Sequence, residues 1–253
     1  MVSPELPEIL SESPSPQNPA SDIGVSTPEG MTEEVPETRE PVERSWPGAR
    51  TGSVVYTIGH SNHSIERFVG LLKQHSITAV ADVRSLPYSR LHPQFNREAL
   101  AASLKNAAIA YVFLGKELGA RPQDPACYDN GRVNFVRLAV REQFKRGIER
   151  VLRGSEKYRL ALMCAEKEPL GCHRTILVCH HLRLAGVTIR HILADGSIED
   201  HRQTEVRLLK AAGLERTLFD SAGGDSEVLD QAYARLADEI TYKSNQEASH
   251  EPG

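Results

Sequence analysis

The sequence has little of what marks a membrane or secreted protein. No stretch approaches the roughly 18 consecutive apolar residues of a membrane span. The first ten residues, MVSPELPEIL, lack both the basic segment and the apolar segment of a signal peptide. We therefore expect a cytoplasmic protein without a membrane partner.

Cysteine is also scarce. The chain has 4 cysteines, which are too few and too irregularly spaced for a secreted disulfide framework. Nitrogen and sulfur ligands for zinc or iron could come from His60, His63, Cys164, Cys172 and His173. Structural zinc usually has paired Cys-x2-Cys spacing, however, and no such pair occurs. We therefore predict no metal and no cofactor, so that the thiols stay free.

The composition divides the chain into a tail and a domain. Residues 1–50 contain 9 of the 15 prolines, and their 10 acidic and 3 basic residues give a net charge of −7. Such a segment cannot bury enough apolar surface to offset its ordering entropy, so we expect disorder. The predicted organisation is a disordered tail over 1–50, a single α/β domain over 51–243 and a disordered C-terminus over 244–253.

Short apolar runs alternate with helical patterns along the domain. Runs typical of strands occupy residues 54–58, 78–83, 110–114, 159–163 and 188–193, and amphipathic helices are predicted after Ser64 and Asn96, over 135–153, from 175, over 204–212 and over 226–240. This alternation predicts a mostly parallel sheet within a three-layer α/β/α sandwich. The turn signal Asp195-Gly196 adds a short edge hairpin ending near Asp200.

Polar residues follow these strands. His60, Asp82, Arg84, Lys116 and Cys164 all lie at or just after a predicted strand. Because the carboxyl ends of parallel strands lie on one edge of a sheet, we expect these side chains to converge there. Ser61, Arg90 and Lys116 are predicted to contribute to substrate binding at this edge.

The strongest motif is Cys172-His173-Arg174, which follows a Pro-Gly loop and opens a helix. The dipole and nearby cations at such a position favour a nucleophilic thiolate. The alternative is that Cys172 is a small buried residue. Glu166, in the preceding loop, could carry protons for the thiol or cap the helix.

Asp82 and Arg84 lie two positions apart, and therefore project to the same side of an extended chain. They could form a structural ion pair that fixes the loop. Alternatively, Arg84 and Arg174 could together bind a carboxylate or phosphate, because guanidinium groups hold both in bidentate geometry.

The helix predicted over 135–153 carries rows of basic residues, which are Arg137, Arg141 and Lys145, and Arg146, Arg150 and Arg153. A solvated face is the ordinary explanation, and a nucleic-acid surface is the alternative. The domain's charge excess of +3 is small beside the basic stripe of nucleic-acid-binding proteins.

Four motifs, YTIGHSNHS, ADVRSLPYSR, LGKELGA and MCAEKEPLGCHR, resemble those of the family called domain of unknown function 488. The resemblance covers about residues 54–200. It implies an α/β fold and a site formed by the Gly-His-Ser and Cys-His-Arg motifs, and it leaves the reaction open.

From the convergent strand ends we predict an enzyme, a Cys-dependent hydrolase or transferase, acting on a phosphorylated or nucleotide-like substrate. Cys172 is the predicted nucleophile, with His60, Asp82, Cys164, Glu166 and His173 as further catalytic candidates, and Arg84 and Arg174 as the anion-binding pair. The competing hypothesis is a non-catalytic module that binds nucleic acid or a nucleotide at the same edge.

Overall fold

A computed structural model describes residues 52–214 and 225–248 of the chain. The predicted tail over 1–50 and residues 249–253 of the predicted C-terminal disorder lie outside these residues. The described part contains eight strands and eight α-helices, besides short 3-10 and π-helical turns.

Six strands form the central sheet, in the order β3-β2-β6-β1-β7-β8. Its strands are β1 (Val54–Gly59), β2 (Ala79–Asp82), β3 (Ala110–Phe113), β6 (Leu160–Cys164), β7 (Thr188–Ile192) and β8 (Ile198–Asp200). All neighbouring pairs are parallel except β7 and β8, which are antiparallel. The predicted mostly parallel sheet and its edge hairpin are confirmed.

A separate antiparallel ladder joins β4 (Tyr128–Asp129) to β5 (Arg132–Val133). It lies in the connection between β3 and the helix that begins at Phe135. The α-helices are α1 (Ile65–Gln74), α2 (Arg97–Asn106), α3 (Gly115–Leu118), α4 (Phe135–Ala139), α5 (Glu142–Lys157), α6 (His180–Leu184), α7 (His201–Ala211) and α8 (Asp225–Ala248).

The sheet has a buried core on each face. Leu160 and Leu162 of β6 belong to the core that includes Ile148 of α5, whereas Ala161 and Met163 belong to the core that includes Phe68 of α1. Successive strand residues point to opposite faces, so alternate positions of one buried strand supply both cores. The three-layer sandwich follows.

The connections after two neighbouring strands leave toward opposite faces. β1 is followed by α1 on one face, and β6 is followed by a π-helical segment, Arg174–Cys179, on the other. Such a point in the strand order opens a crevice at the carboxyl ends of the strands, where ligands of α/β proteins bind.

Local signals mark some of the helix boundaries. Ser64 caps α1 by accepting a hydrogen bond from the Arg67 N–H at 3.2 Å. Asp200 and Gln203 form a capping box at the start of α7. Asn96 occupies the cap position of α2, but its side chain accepts from the Ser89 N–H instead.

The single helix predicted over 135–153 is wrong. Arg141 has extended dihedrals at the start of α5 and separates it from α4. The Arg141 guanidinium forms an ion pair with Asp124 of the preceding loop at 3.1 Å. The helical periodicity of the sequence gives no sign of this contact. Across the described residues, no helix is both long enough and apolar enough to cross a membrane.

Candidate active site

The site lies where β1, β2 and β6 end. Beyond the strands, the His60 N–H donates to the Cys164 carbonyl at 2.9 Å, and the Val83 N–H donates to the Met163 carbonyl at 3.0 Å. The chain segments that leave β1 and β2 are thus bonded to the two sides of β6. This pairing holds Cys164 between them.

Two buried thiols share one carboxylate oxygen. The thiols of Cys164 and Cys172 donate to Oε2 of Glu166, at 2.9 and 3.1 Å respectively. Cys164 is 2% exposed and Cys172 is 1% exposed. Glu166 belongs to the exposed part of the loop between them, and its carboxylate reaches inward. The loop therefore covers the thiols.

His173 is fixed by a main-chain contact. Its Nε2 lies 3.0 Å from the Val83 carbonyl, and its Nδ1 lies 3.6 Å from the Cys164 sulfur. A carbonyl oxygen only accepts, so Nε2 carries a hydrogen and Nδ1 faces the thiols.

Arg174 is fully buried. Its guanidinium donates to the main-chain carbonyls of Glu166 at 2.6 Å and Lys167 at 3.3 Å, while its Nε has no partner. Within the described residues it forms no ion pair with an acidic side chain. Its charge is offset by the neighbouring thiols and the Glu166 carboxylate, and by the two carbonyls that accept its hydrogen bonds.

The environments of the two thiols differ. Burial opposes a thiolate at Cys172, but a hydrogen bond with Cys164 and the charges of Arg174 and His173 outweigh it and lower its pKa well below the ordinary value. Burial, followed by the interaction with Cys172, raises the pKa of Cys164 well above its ordinary value. Cys172 is therefore the thiol that ionises first.

Proton-carrying groups surround Cys172. Burial and then the neighbouring Cys172 raise the pKa of Glu166. Burial opposes protonation of His173, but its interactions with Cys172 and Glu166 raise its pKa. A raised carboxyl pKa beside a lowered thiol pKa favours exchange of one proton between Glu166 and Cys172.

Asp82 and Arg84 form the structural ion pair. Arg84 Nε and Nη2 donate to the two oxygens of Asp82 at 2.9 and 2.7 Å, and Nη2 also donates to the Phe95 carbonyl at 2.8 Å. Tyr111 donates to the same carboxylate at 2.9 Å. The Arg84 guanidinium is thus held rigidly at the end of β2.

His60 joins this network. Its Nδ1–H donates to the Ser61 carbonyl at 2.8 Å, so its Nε2 accepts from Arg84 Nη1 at 3.2 Å. Burial lowers the pKa of His60 to about 4, with a further contribution from Arg84. His60 is therefore neutral at pH 7.

The other predicted substrate-binding residues lie at the margin. Ser61 has left-handed backbone dihedrals, with φ of 49°, and its N–H donates to the Ala165 carbonyl at 2.9 Å. Arg90 is exposed on the loop after β2, and Lys116 is exposed on α3. The structure thus groups Cys164, Glu166, Cys172, His173 and Arg174, and groups His60, Asp82 and Arg84 in an adjoining network.

Three contributors were missed from the sequence. Tyr111 is one strand away from Asp82, and the Val83 carbonyl carries no side-chain signal. Gly59 is required because a Cβ there would lie 1.9 Å from the Glu166 carbonyl oxygen. Only the glycine at the end of a strand, beside His60, could have pointed to such a close approach.

Residues 64–180 match the family described as Domain of unknown function DUF488. The resemblance to this family is confirmed. The DUF488 match is shorter than the 54–200 expected from the motifs; it includes Asp82, Arg84 and all five residues of the thiol group, and His60 and Ser61 lie just before it. No curated protein and no solved structure matches the chain.

Proposed function

We propose that this DUF488 protein is an enzyme whose nucleophile is the Cys172 thiol, acting on a phosphorylated or nucleotide-like substrate. One observation carries the proposal: a single carboxylate oxygen of Glu166 accepts hydrogen bonds from both buried thiols, beside the buried guanidinium of Arg174, which forms no ion pair with an acidic side chain of the described residues. Nucleophile, proton acceptor and cation are thereby within one cluster.

Glu166 supplies the proton transfer. It takes the proton of Cys172 as the sulfur attacks the electrophilic phosphorus or carbon, and it returns that proton to the departing group. Water or an acceptor then cleaves the sulfur–substrate bond and regenerates the thiol, which gives a hydrolase or a transferase respectively.

The substrate's negative charge is inferred from the loop. The Glu166 carboxylate occupies the position beside the thiols, and Arg174 holds the loop through the Glu166 and Lys167 carbonyls. An anionic substrate that binds beside this carboxylate and the thiols would meet the buried positive charge of Arg174. Arg84 adds less to that charge, because its guanidinium is already paired with Asp82.

Basic residues of α4 and α5 are paired with acidic side chains, and this pairing argues against a nucleic-acid-binding surface. Arg137 pairs with Asp129 at 2.7 Å, Lys145 pairs with Glu142 at 2.6 Å, and Arg150 pairs with Glu117. Much of this face is thus neutralised within the protein, which weakens the field that phosphates would meet.

Turnover tests the proposal. Purified protein is assayed against phosphomonoesters, phosphodiesters, nucleotides and thiol-transfer substrates, and active reactions are repeated with Cys172→Ser and with the matched helix variant Cys179→Ser. We expect a loss of more than about 1000-fold for Cys172→Ser and little change for Cys179→Ser. Ligand binding that persists in Cys172→Ser, with no turnover of any substrate by the wild type, would favour the non-catalytic module.

A further inference from the structure

We propose that Cys164, Cys172 and His173 bind a zinc ion, with Glu166 as an exchangeable fourth ligand. One donor atom from each of these four side chains lies within 4.8 Å of the others. Two sulfurs, a ring nitrogen and a carboxylate oxygen form a donor set that suits zinc. The inference goes beyond the proposed function and does not depend on it: zinc would occupy the Cys172 sulfur and the Glu166 carboxylate, so the proposed nucleophile acts in the metal-free protein.

The distances suit a tetrahedral ion. With zinc bonds of about 2.3 Å to sulfur and about 2.0 Å to nitrogen, those two ligands lie about 3.5 Å apart. Cys164 Sγ and His173 Nδ1 are 3.6 Å apart. The thiol-to-Glu166 distances of 2.9 and 3.1 Å are shorter, so the carboxylate must move outward as the metal enters, and its exposed loop allows this.

His173 already has the orientation of a metal ligand. Metal-binding histidines usually donate their second ring N–H to a carbonyl or carboxylate, which fixes the ring and its tautomer. His173 Nε2 makes this bond to the Val83 carbonyl at 3.0 Å. Its Nδ1 is left facing the two sulfurs.

The surrounding charge is also suitable. Two thiolates and one carboxylate bring three negative charges to a dication, which leaves a net charge of −1. Arg174, fully buried and without an ion-pair partner among the described side chains, supplies the balancing positive charge. A buried charge is costly unless it is compensated, and the metal-loaded cluster compensates it.

Cys164, Cys172 and His173 are among the possible zinc ligands in the sequence, but their spacing argues against a metal there. Cys164 and Cys172 are separated by seven residues and do not resemble a Cys-x2-Cys pair. The fold makes them neighbours, because Arg174 bonds to two carbonyls of the intervening loop and draws it back over the thiols. Ligands on the end of β6 and at the start of the next helix therefore meet.

Zinc binding to the full-length, reduced and chelator-treated protein tests the site. A chromophoric chelator competition and native mass spectrometry should give one zinc per chain, and Co²⁺ should give the intense visible bands and thiolate charge transfer of a tetrahedral sulfur site. Cys164→Ala, Cys172→Ala and His173→Ala should each weaken binding by more than about 100-fold, and Glu166→Gln by about 10-fold. The control variants Cys127→Ala and Cys179→Ala should leave it unchanged.

A cobalt spectrum without thiolate charge transfer, or affinity unaffected by Cys172→Ala, would overturn the proposal. If the alanine variants do not fold, cysteine alkylation of the wild-type protein tests the site. Zinc, but not Mg²⁺, should protect Cys164 and Cys172 from alkylation and leave the alkylation rates of Cys127 and Cys179 unchanged. Absence of that protection also overturns it. Failure here leaves the turnover assays untouched, because their readout requires no metal.

Discussion

Because Gly59 has no side chain, the Glu166 backbone can pass close to it. The Glu166 backbone passes so close to Gly59 that a Cβ would lie 1.9 Å from its carbonyl oxygen, and 3.2 Å from Arg174 Nη1. We predict that Gly59→Ala lowers the free energy of unfolding by about 2 kcal/mol or more, because main-chain atoms must shift. Chemical denaturation measures this.

Gly70 provides the matched control. It lies in α1, and a Cβ there would have no neighbour within 4 Å. Gly70→Ala should therefore stabilise the protein by about 0.5 to 1 kcal/mol through helix propensity. Equal effects of the two substitutions would show that the Glu166 loop does not rest on Gly59.

Cys172 and Cys179 should differ in reactivity. Both are buried in the same hydrophobic core, but Cys172 contacts the Glu166 carboxylate, whereas burial raises the pKa of Cys179. In metal-free protein at neutral pH, we expect iodoacetamide to label Cys172 faster by more than about 10-fold. Site-resolved mass spectrometry measures both rates. Equal, slow labelling would make Cys172 a packing residue and remove the nucleophile from the proposed mechanism.

Among the elements, a hydrogen-bond chain joins β1, β7, α7 and α8. Thr57 bonds to His191 at 2.7 Å, His191 to His201 at 2.9 Å, and His201 to the Tyr233 hydroxyl at 3.0 Å. Tyr233 donates to Glu205 at 3.2 Å, so each histidine can be neutral with one donor and one acceptor. This network ties α8 to the sheet.

Acid should break that network. Burial, with Arg183 as a further cause, lowers the pKa of His201 to about 4, and burial and then His201 lower that of His191 well below its ordinary value. In the unfolded state the two histidines bind protons near pH 6.5. The stability that comes from keeping them neutral in the folded state is therefore fully present above pH 6.5 and is lost as the pH falls toward 4. We predict that His201→Gln reduces the slope of unfolding free energy against pH in this window by up to about 1.4 kcal/mol per unit. Denaturant titrations at several pH values measure the slope, and an unchanged slope would mean that His201 has the same pKa in the folded and unfolded states.

The positions of strands and helix starts could be predicted from the sequence, whereas most side-chain contacts could not. The ends of β1 and β6 follow from apolar runs bounded by glycine, proline and polar residues, and Ser64 marks the start of α1 by its cap. The break between α4 and α5 lies at Arg141, whose extended backbone is not marked by a nearby proline or glycine. The proximity of Cys164 and Cys172 follows from the strand–loop–helix pattern. The sequence also suggests the Asp82–Arg84 ion pair, but it does not exclude an anion-binding role for Arg84, because the spacing of the two residues does not show which groups contact the guanidinium.

At the scale of the molecule, the composition predicts that residues 1–50 are dispensable for folding. A protein beginning at Thr51 should have the same melting temperature as the full chain, within about 2 °C. Limited proteolysis should cleave the full chain in this segment first. A substantially lower melting temperature after the deletion would place the domain boundary earlier in the chain.

The anchoring of His173 and Arg174 has an evolutionary consequence. Their partners are the main-chain carbonyls of Val83, Glu166 and Lys167, which any amino acid at those positions supplies. The eleven residues from Cys164 to Arg174 can therefore keep their arrangement while the side chains that surround them diverge between species. Gly59 lacks this freedom, and a lineage that loses it should also lose the Glu166 loop's position.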